Sequence, residues 1–139
     1  MKQYIGTKLI QAEPMERDGR PGYKVRYADG YESWSPKGVF EKAYMECIPN
    51  PDLRTDKPSI SAQMVDDFIV ASDTYTLGDK CTVVRAVLRN GFELVESSAC
   101  VSAENYDESL GHDICIEKIR DKVWFLLGFL LQTAVNASR

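Results

Sequence analysis

At 139 residues the chain has the length of one domain and enough of it to bury a real core. Its 17 Lys+Arg against 21 Asp+Glu leave a formal net charge of −4 and a pI near 5.0. That excludes the overall basic field of a general DNA or RNA binder, while a small anionic ligand in a local basic pocket stays allowed.

In chain order, residues 4–11 read as a first strand and residues 13–22 as a polar loop rich in Gly and Pro. Residues 23–27 alternate, Asp29-Gly30 makes a tight turn, and residues 31–34 return antiparallel. A two-residue loop there sets Val25 opposite Trp34 and Tyr27 opposite Glu32. Ser35-Pro36 predicts a helix start over residues 35–47, because serine can cap free N–H groups and proline loses nothing at the first helical position. Residues 48–60 hold three prolines. They lack apolar periodicity and read as a connector between submodules 1–47 and 61–139 of a single domain. Ser61 predicts a short helix over 61–70 with Met64, Val65, Phe68 and Ile69 on one face. Residues 72–80 read as a loop.

Residues 82–88 are rich in β-branched side chains, Asn90-Gly91 suits a two-residue turn, and residues 92–97 return. That register pairs Arg89 with Phe92, Val87 with Leu94, Arg85 with Glu96 and Val83 with Ser98. It puts two arginines, a glutamate and an aromatic ring on one side, and Leu88, Ala86, Val84, Val95 and Ala99 on a core side. The charged side reads either as a ligand face or as an ordinary cross-strand ion pair beside an aromatic cover. Ser102 predicts the N-cap of a long helix over 102–131, with Cys115, Ile119, Val123, Leu127 and Leu130 as its apolar stripe. Beyond Val123 this helix is apolar nearly all round. Two readings are open: subunit packing through Trp124, Phe125, Gly128 and Phe129, or a central helix wrapped by its own sheet. The expected fold is α+β: one small antiparallel sheet of two hairpins, two short helices and one long C-terminal helix.

The four cysteines, Cys47, Cys81, Cys100 and Cys115, form no C-x-x-C pair, and His112 is the single imidazole. Zinc wants clustered Cys/His ligands, so neither a metal nor a cofactor is expected, and the thiols read as reduced, buried small hydrophobes. Cys115 lies at i+3 from His112, but a histidine at a polar/apolar border explains that spacing equally. No nucleophile elbow, P-loop or dinucleotide fingerprint is present. Binding rather than catalysis is the expected class. The apolar run 123–131 is too short to span a bilayer and the N-terminus shows no signal-peptide core, so a cytoplasmic protein is expected.

Two sets of residues resemble known phage proteins. Residues 4–10 (YIGTKLI) and 30–44 (GYESWSPKGVFEKAY) resemble a short N-terminal module of tailed-phage proteins. Residues 88–92 (LRNGF), 96–100 (ESSAC), 104–107 (ENYD) and 118–124 (KIRDKVW) resemble the gene-49-type phage family. Joined, they resemble the first family of Thoeris anti-defence proteins. That resemblance implies a sponge in the host bacterial cytoplasm. Such a sponge sequesters glyco-cyclic ADP-ribose signals of TIR-domain enzymes without cleaving them and assembles as a homo-oligomer, a dimer or a hexamer. In some members it also holds the cyclic di- or trinucleotides of CBASS defence. A cyclic nucleotide needs an aromatic platform and guanidinium groups, which points to Phe92 with Arg89 and Arg85. The resemblance adds Asn105 and Arg120, and Trp34 is a second aromatic candidate. The alternatives are a same-scaffold protein that inhibits a host protein through its charged ribbon face, and an enzyme that cleaves the signal.

Overall fold

The computed structural model describes residues 1–138. The class is α+β as the patterns predict, but the strands divide into two three-stranded antiparallel sheets instead of one sheet of two hairpins. Packing separates the chain into two compact units, residues 48–128 and residues 1–47 with the chain from Phe129 onward.

In the first unit, β1 (Gln11–Pro14), β2 (Gly22–Arg26) and β3 (Glu32–Pro36) form a meander with β2 central. The first strand therefore begins at Gln11, not at Tyr4. Both edges of β2 are taken, and Tyr4 and Ile5 stand fully exposed. The Gly/Pro-rich stretch is not an open loop but the tip of the β1–β2 hairpin. Arg17 and Arg20 exchange both backbone N–H···O bonds at 2.9 Å, and Asp18 (φ 52°) and Gly19 (φ 75°) make the two-residue turn between them.

The turn expected at Asp29-Gly30 is longer than two residues. Tyr27 N–H donates to Tyr31 O and Gly30 N–H to Tyr27 O, both at 2.9 Å, with Gly30 at φ 89°. This is a type I turn followed by a left-handed glycine, a three-residue loop. It shifts the expected register by one, so that Lys24 faces Trp34, Val25 faces Ser33 and Arg26 faces Glu32. Helix α1 (Lys37–Ala43) starts without a side-chain cap, because Ser35 and Pro36 close β3. A residue before proline is driven out of the helical region, and the Ser35 hydroxyl donates to Pro36 O instead (3.4 Å). α1 packs through Phe40, stacked between Tyr23 (4.1 Å) and Tyr44 (5.0 Å), on the face where Val25 is buried.

In the second unit, Ser61 caps α2 (Ala62–Phe68) by accepting from Met64 N–H at 3.3 Å, and Met64, Val65 and Phe68 are buried. β4 (Ile69–Leu77) follows at once, so most of the expected loop 72–80 is strand. Its residues on the α3 side are Ser72, Thr74 and Thr76; Ser72 is exposed, Thr74 meets an imidazole and Thr76 a hydroxyl and a carboxylate, and so the usual apolar alternation is missing. β5 (Cys81–Leu88) is the central strand and β6 (Glu93–Ala99) the far edge.

The β5–β6 turn repeats the departure seen at Gly30. Leu88 N–H donates to Phe92 O and Gly91 N–H to Leu88 O, both at 2.8 Å, with Gly91 at φ 87°. The three-residue loop Arg89–Gly91 pairs Arg85 with Val95, Val84 with Glu96 and Ala86 with Leu94. Every β6 side chain thereby changes face relative to the expected pairing. Val95 and Ala99 point to solvent, and Glu96 turns toward the helix.

Ser102 caps only a 3-10 turn (Ala103–Asn105), accepting from Glu104 N–H. The long helix α3 (Glu108–Ala137) is capped by Asp107, whose carboxylate accepts from the N–H groups of Ser109 (2.9 Å) and Leu110 (3.2 Å). Gly111, Cys115, Ile119, Val123 and Leu127 recur every four residues and are buried, whereas Leu130 is half-exposed. Gly111 lies against Thr82, where a Cβ would overlap the threonine hydroxyl, and Cys115 Sγ approaches Thr82 O at 3.8 Å. The stripe thus packs on the face of β5 that carries Thr82, Val84, Ala86 and Leu88. No described helix is long and apolar enough to cross a membrane.

Candidate functional site

The tip of the β5–β6 hairpin presents one exposed aromatic ring of the second unit. Phe92 keeps 58% of its surface in solvent although its backbone is fixed on both sides. Its N–H donates to Asn90 Oδ1 (3.0 Å), and its carbonyl accepts from Leu88 N–H. Arg89 N–H donates to Phe68 O at 2.8 Å, which pins the tip to the end of α2. Two residues earlier on α2, Asp66 holds Arg120 Nη1 at 2.9 Å, and Glu117 flanks the same guanidinium at 3.6 Å. α2 is therefore the common neighbour of the tip and Arg120. A rigid tip loses little freedom when something stacks on it, which favours binding.

The other expected site residues lie elsewhere. Arg85 is on the outer face of the sheet, bonded to Asp73 Oδ2 through Nη2 (2.8 Å) and Nε (3.1 Å) and to Glu93 through Nη1. Its expected partner Glu96 is on the opposite face, where it pairs with Lys122 of α3. The one-residue register change separates these two and removes Arg85 from the side of Phe92. Asn105 is exposed in the 3-10 turn beside Thr76 and Thr82, at the other end of β5 from Leu88. Six residues of strand put it roughly 20 Å from the tip. Trp34 belongs to the first unit, where its Nε1 donates to Met15 O at 2.8 Å.

One cluster escapes sequence reasoning. Tyr106 OH bonds Thr76 Oγ1 (2.7 Å) and Thr82 Oγ1 (2.8 Å), Thr76 also donates to Glu108 Oε2 (2.6 Å), and Thr74 meets His112 Nδ1 at 2.6 Å. The alternation of Thr74 and Thr76 is its only trace in the sequence. The cluster satisfies the hydroxyl of fully buried Thr82 and anchors the start of α3 to the sheet. It also separates the residues of the His112–Cys115 spacing, because the imidazole is bonded to Thr74 and the sulfur faces Thr82. Burial pushes the Cys115 thiol up, away from the reactive thiolate. Among the described residues no group of three or more His, Cys, Asp or Glu side chains could hold a metal ion.

No curated protein and no solved structure matches this chain. A family model does match residues 60–135, more than half of the chain, a span that holds α2, the whole β4–β6 sheet, the hairpin tip and nearly all of α3. With that span matched, the chain belongs to the phage protein family of N4 Gp49 and phage Sf6 gene 66.

Proposed function

We propose that this phage protein is an anti-defence sponge, which binds a cyclic nucleotide immune signal of the glyco-cyclic ADP-ribose type and withholds it without cleaving it. The reading is carried by Phe92, a large exposed ring on an immobilised tip inside the family span. Stacking of a base on such a ring is worth about 1–3 kcal/mol. Arg89 supplies a guanidinium for phosphate from the same turn, and Arg120 a second one from across α2. Arg85, on the outer face of the sheet and away from the side of Phe92, serves the sheet rather than the ligand. Neither Arg89, Asn90 nor Phe92 is a base or nucleophile at neutral pH, which agrees with retention rather than cleavage.

Asn105, far from the tip of its own chain, joins the site from a second copy. Phe125 and Phe129, 74% and 70% exposed on α3, supply apolar surface for a dimer or hexamer. The test is to incubate the purified protein with glyco-cyclic ADP-ribose, remove unbound nucleotide, denature by heat and analyse the release by chromatography. Intact nucleotide in stoichiometric amount is expected. An altered nucleotide makes the protein an enzyme, and absence of uptake overturns the reading.

A further inference from the structure

The β1–β3 sheet has two unlike faces. One packs on α1 through Val25, Tyr23 and Phe40. The pairing Arg17↔Arg20, Glu13↔Lys24, Lys24↔Trp34 and Arg26↔Glu32 puts all of these residues on the other face, where Lys24 and Trp34 are half-buried and the rest exposed. That face carries four cations and two carboxylates in a chain whose total charge is −4. Glu32 compensates Lys24 (3.4 Å) and Arg26 (3.1 Å). Arg17 and Arg20 have no carboxylate within ion-pair distance among the described residues. Their guanidinium carbons instead lie 5.9 and 5.8 Å from the centre of the Trp34 ring.

This Arg–Trp–Arg group is fixed from below. The indole lies over Gly22, where a Cβ would overlap the ring, and its N–H is tied to Met15 O. The two arginines stand on either side of a tight two-residue turn, joined by both backbone bonds. Tryptophan and arginine are the residues that dominate protein–protein recognition, and here the half-buried indole and the backbone of both exposed arginines are held in place.

We propose that this open face docks a carboxylate-bearing segment of a partner protein, with Trp34 as the apolar anchor and Arg17 and Arg20 as the carboxylate clamps. The cleft between Glu13, Lys24, Arg26 and Glu32 on this face has about 120 Å³, small for a metabolite. Glu13 and Glu32, beside Lys24 and Arg26, leave the uncompensated positive charge at Arg17 and Arg20 on the Trp34 side, which suits a few carboxylates next to apolar surface rather than a continuous phosphate chain.

The test uses the full-length protein and fluorescein-labelled probes: a Glu-rich decapeptide, a Lys-rich decapeptide and a thymidine decanucleotide, followed by anisotropy at low and physiological salt. The Glu-rich peptide is expected to bind best and to weaken with salt. Arg17→Ala/Arg20→Ala should lose at least tenfold in affinity, while Arg54→Ala, an exposed charge in the connector, changes nothing. Arg17→Glu/Arg20→Glu should exchange preference to the Lys-rich peptide while its circular dichroism spectrum and melting cooperativity stay those of the parent. Tighter binding of the oligonucleotide, no peptide binding at low salt, or parental affinity in the double alanine variant overturns the proposal.

Discussion

The two sheets have the same strand count and the same meander, yet they are held in different ways. In β4–β6 one face is closed by α3. Val84, Ala86 and Leu88 have at most 1% of their surface exposed, and Ile119, Val123 and Leu127 are buried opposite them. In β1–β3 only Val25 is buried to that degree, and the packed face is completed by the stacked rings Tyr23, Phe40 and Tyr44. The first arrangement puts its stability into close-packed carbon, which tolerates no change of volume. The second depends on a few aromatic contacts and on turns, and leaves its other face to solvent. Regular strand pairing alone therefore does not indicate where the folding free energy resides.

The largest expected effect tests the closed sheet. Ile119→Ala removes a fully buried side chain and should destabilise by about 2–5 kcal/mol in denaturant melts. A loss well below 1 kcal/mol would mean that α3 does not seal the sheet. Gly111→Ala comes next: the added methyl meets Thr82, and overpacking of this kind costs about 1–3 kcal/mol. Gly128→Ala, with open space around it, should be neutral or slightly stabilising, and equal effects at the two glycines would contradict the packing described.

The turns give a comparison across the two sheets. Gly30→Ala and Gly91→Ala each force a left-handed alanine, at about 1–2 kcal/mol. The corresponding asparagine variants should recover part of the loss, and chemical shifts of the loops should show the same backbone in both.

Phe92→Ala separates binding from folding. It should change stability by less than about 0.5 kcal/mol, because the ring is largely exposed, yet weaken the nucleotide by about 1–3 kcal/mol. Arg85→Ala should do the reverse, losing up to about 1 kcal/mol of stability from half-exposed ion pairs with little change in a calorimetric titration. If Phe92→Ala binds like the parent while folded, the tip is not the site.

The smallest effect concerns pH. The hydrogen bond from Arg26, helped by Lys24, holds the Glu32 carboxyl below its usual range. A carboxyl depressed by folding contributes stability above its unfolded pKa and loses it as pH falls through the folded one. An NMR titration should find Glu32 ionising below the ordinary glutamate value, and Arg26→Ala should move it back up.

The α+β class, the short helix after Ser61 and the buried stripe of α3 were legible in residue patterns, because caps and four-residue apolar spacing act locally. The sheet registers were not. Asn90-Gly91 and Asp29-Gly30 mark turns with certainty, but a left-handed glycine serves equally as the second residue of a two-residue loop and the third of a three-residue one. The choice is made by partners distant in sequence. With three residues in the loop, Arg85 reaches Asp73 and Glu93, and Glu96 reaches Lys122. β4 was hidden because its inward threonines are satisfied by Tyr106 and His112, side chains more than 20 residues away. At the site, Phe92 and Arg89 are local to one turn and could be proposed from it. The separation of Asn105 and Arg85 from that turn follows only from the three-dimensional pairing.

The first unit is discontinuous in sequence, and this bears on how the molecule is made. Its β1–β3 sheet precedes the family span in the chain, but Leu9 N–H donates to Ser138 Oγ (3.1 Å), a partner 129 positions later. The intervening residues, including the whole family span, must be translated before this unit can close. Vectorial synthesis usually lets an N-terminal region finish folding early. Here β1–β3 wait for residues on the far side of the family span, and until those are made the unit that carries Trp34 lacks its closing contact.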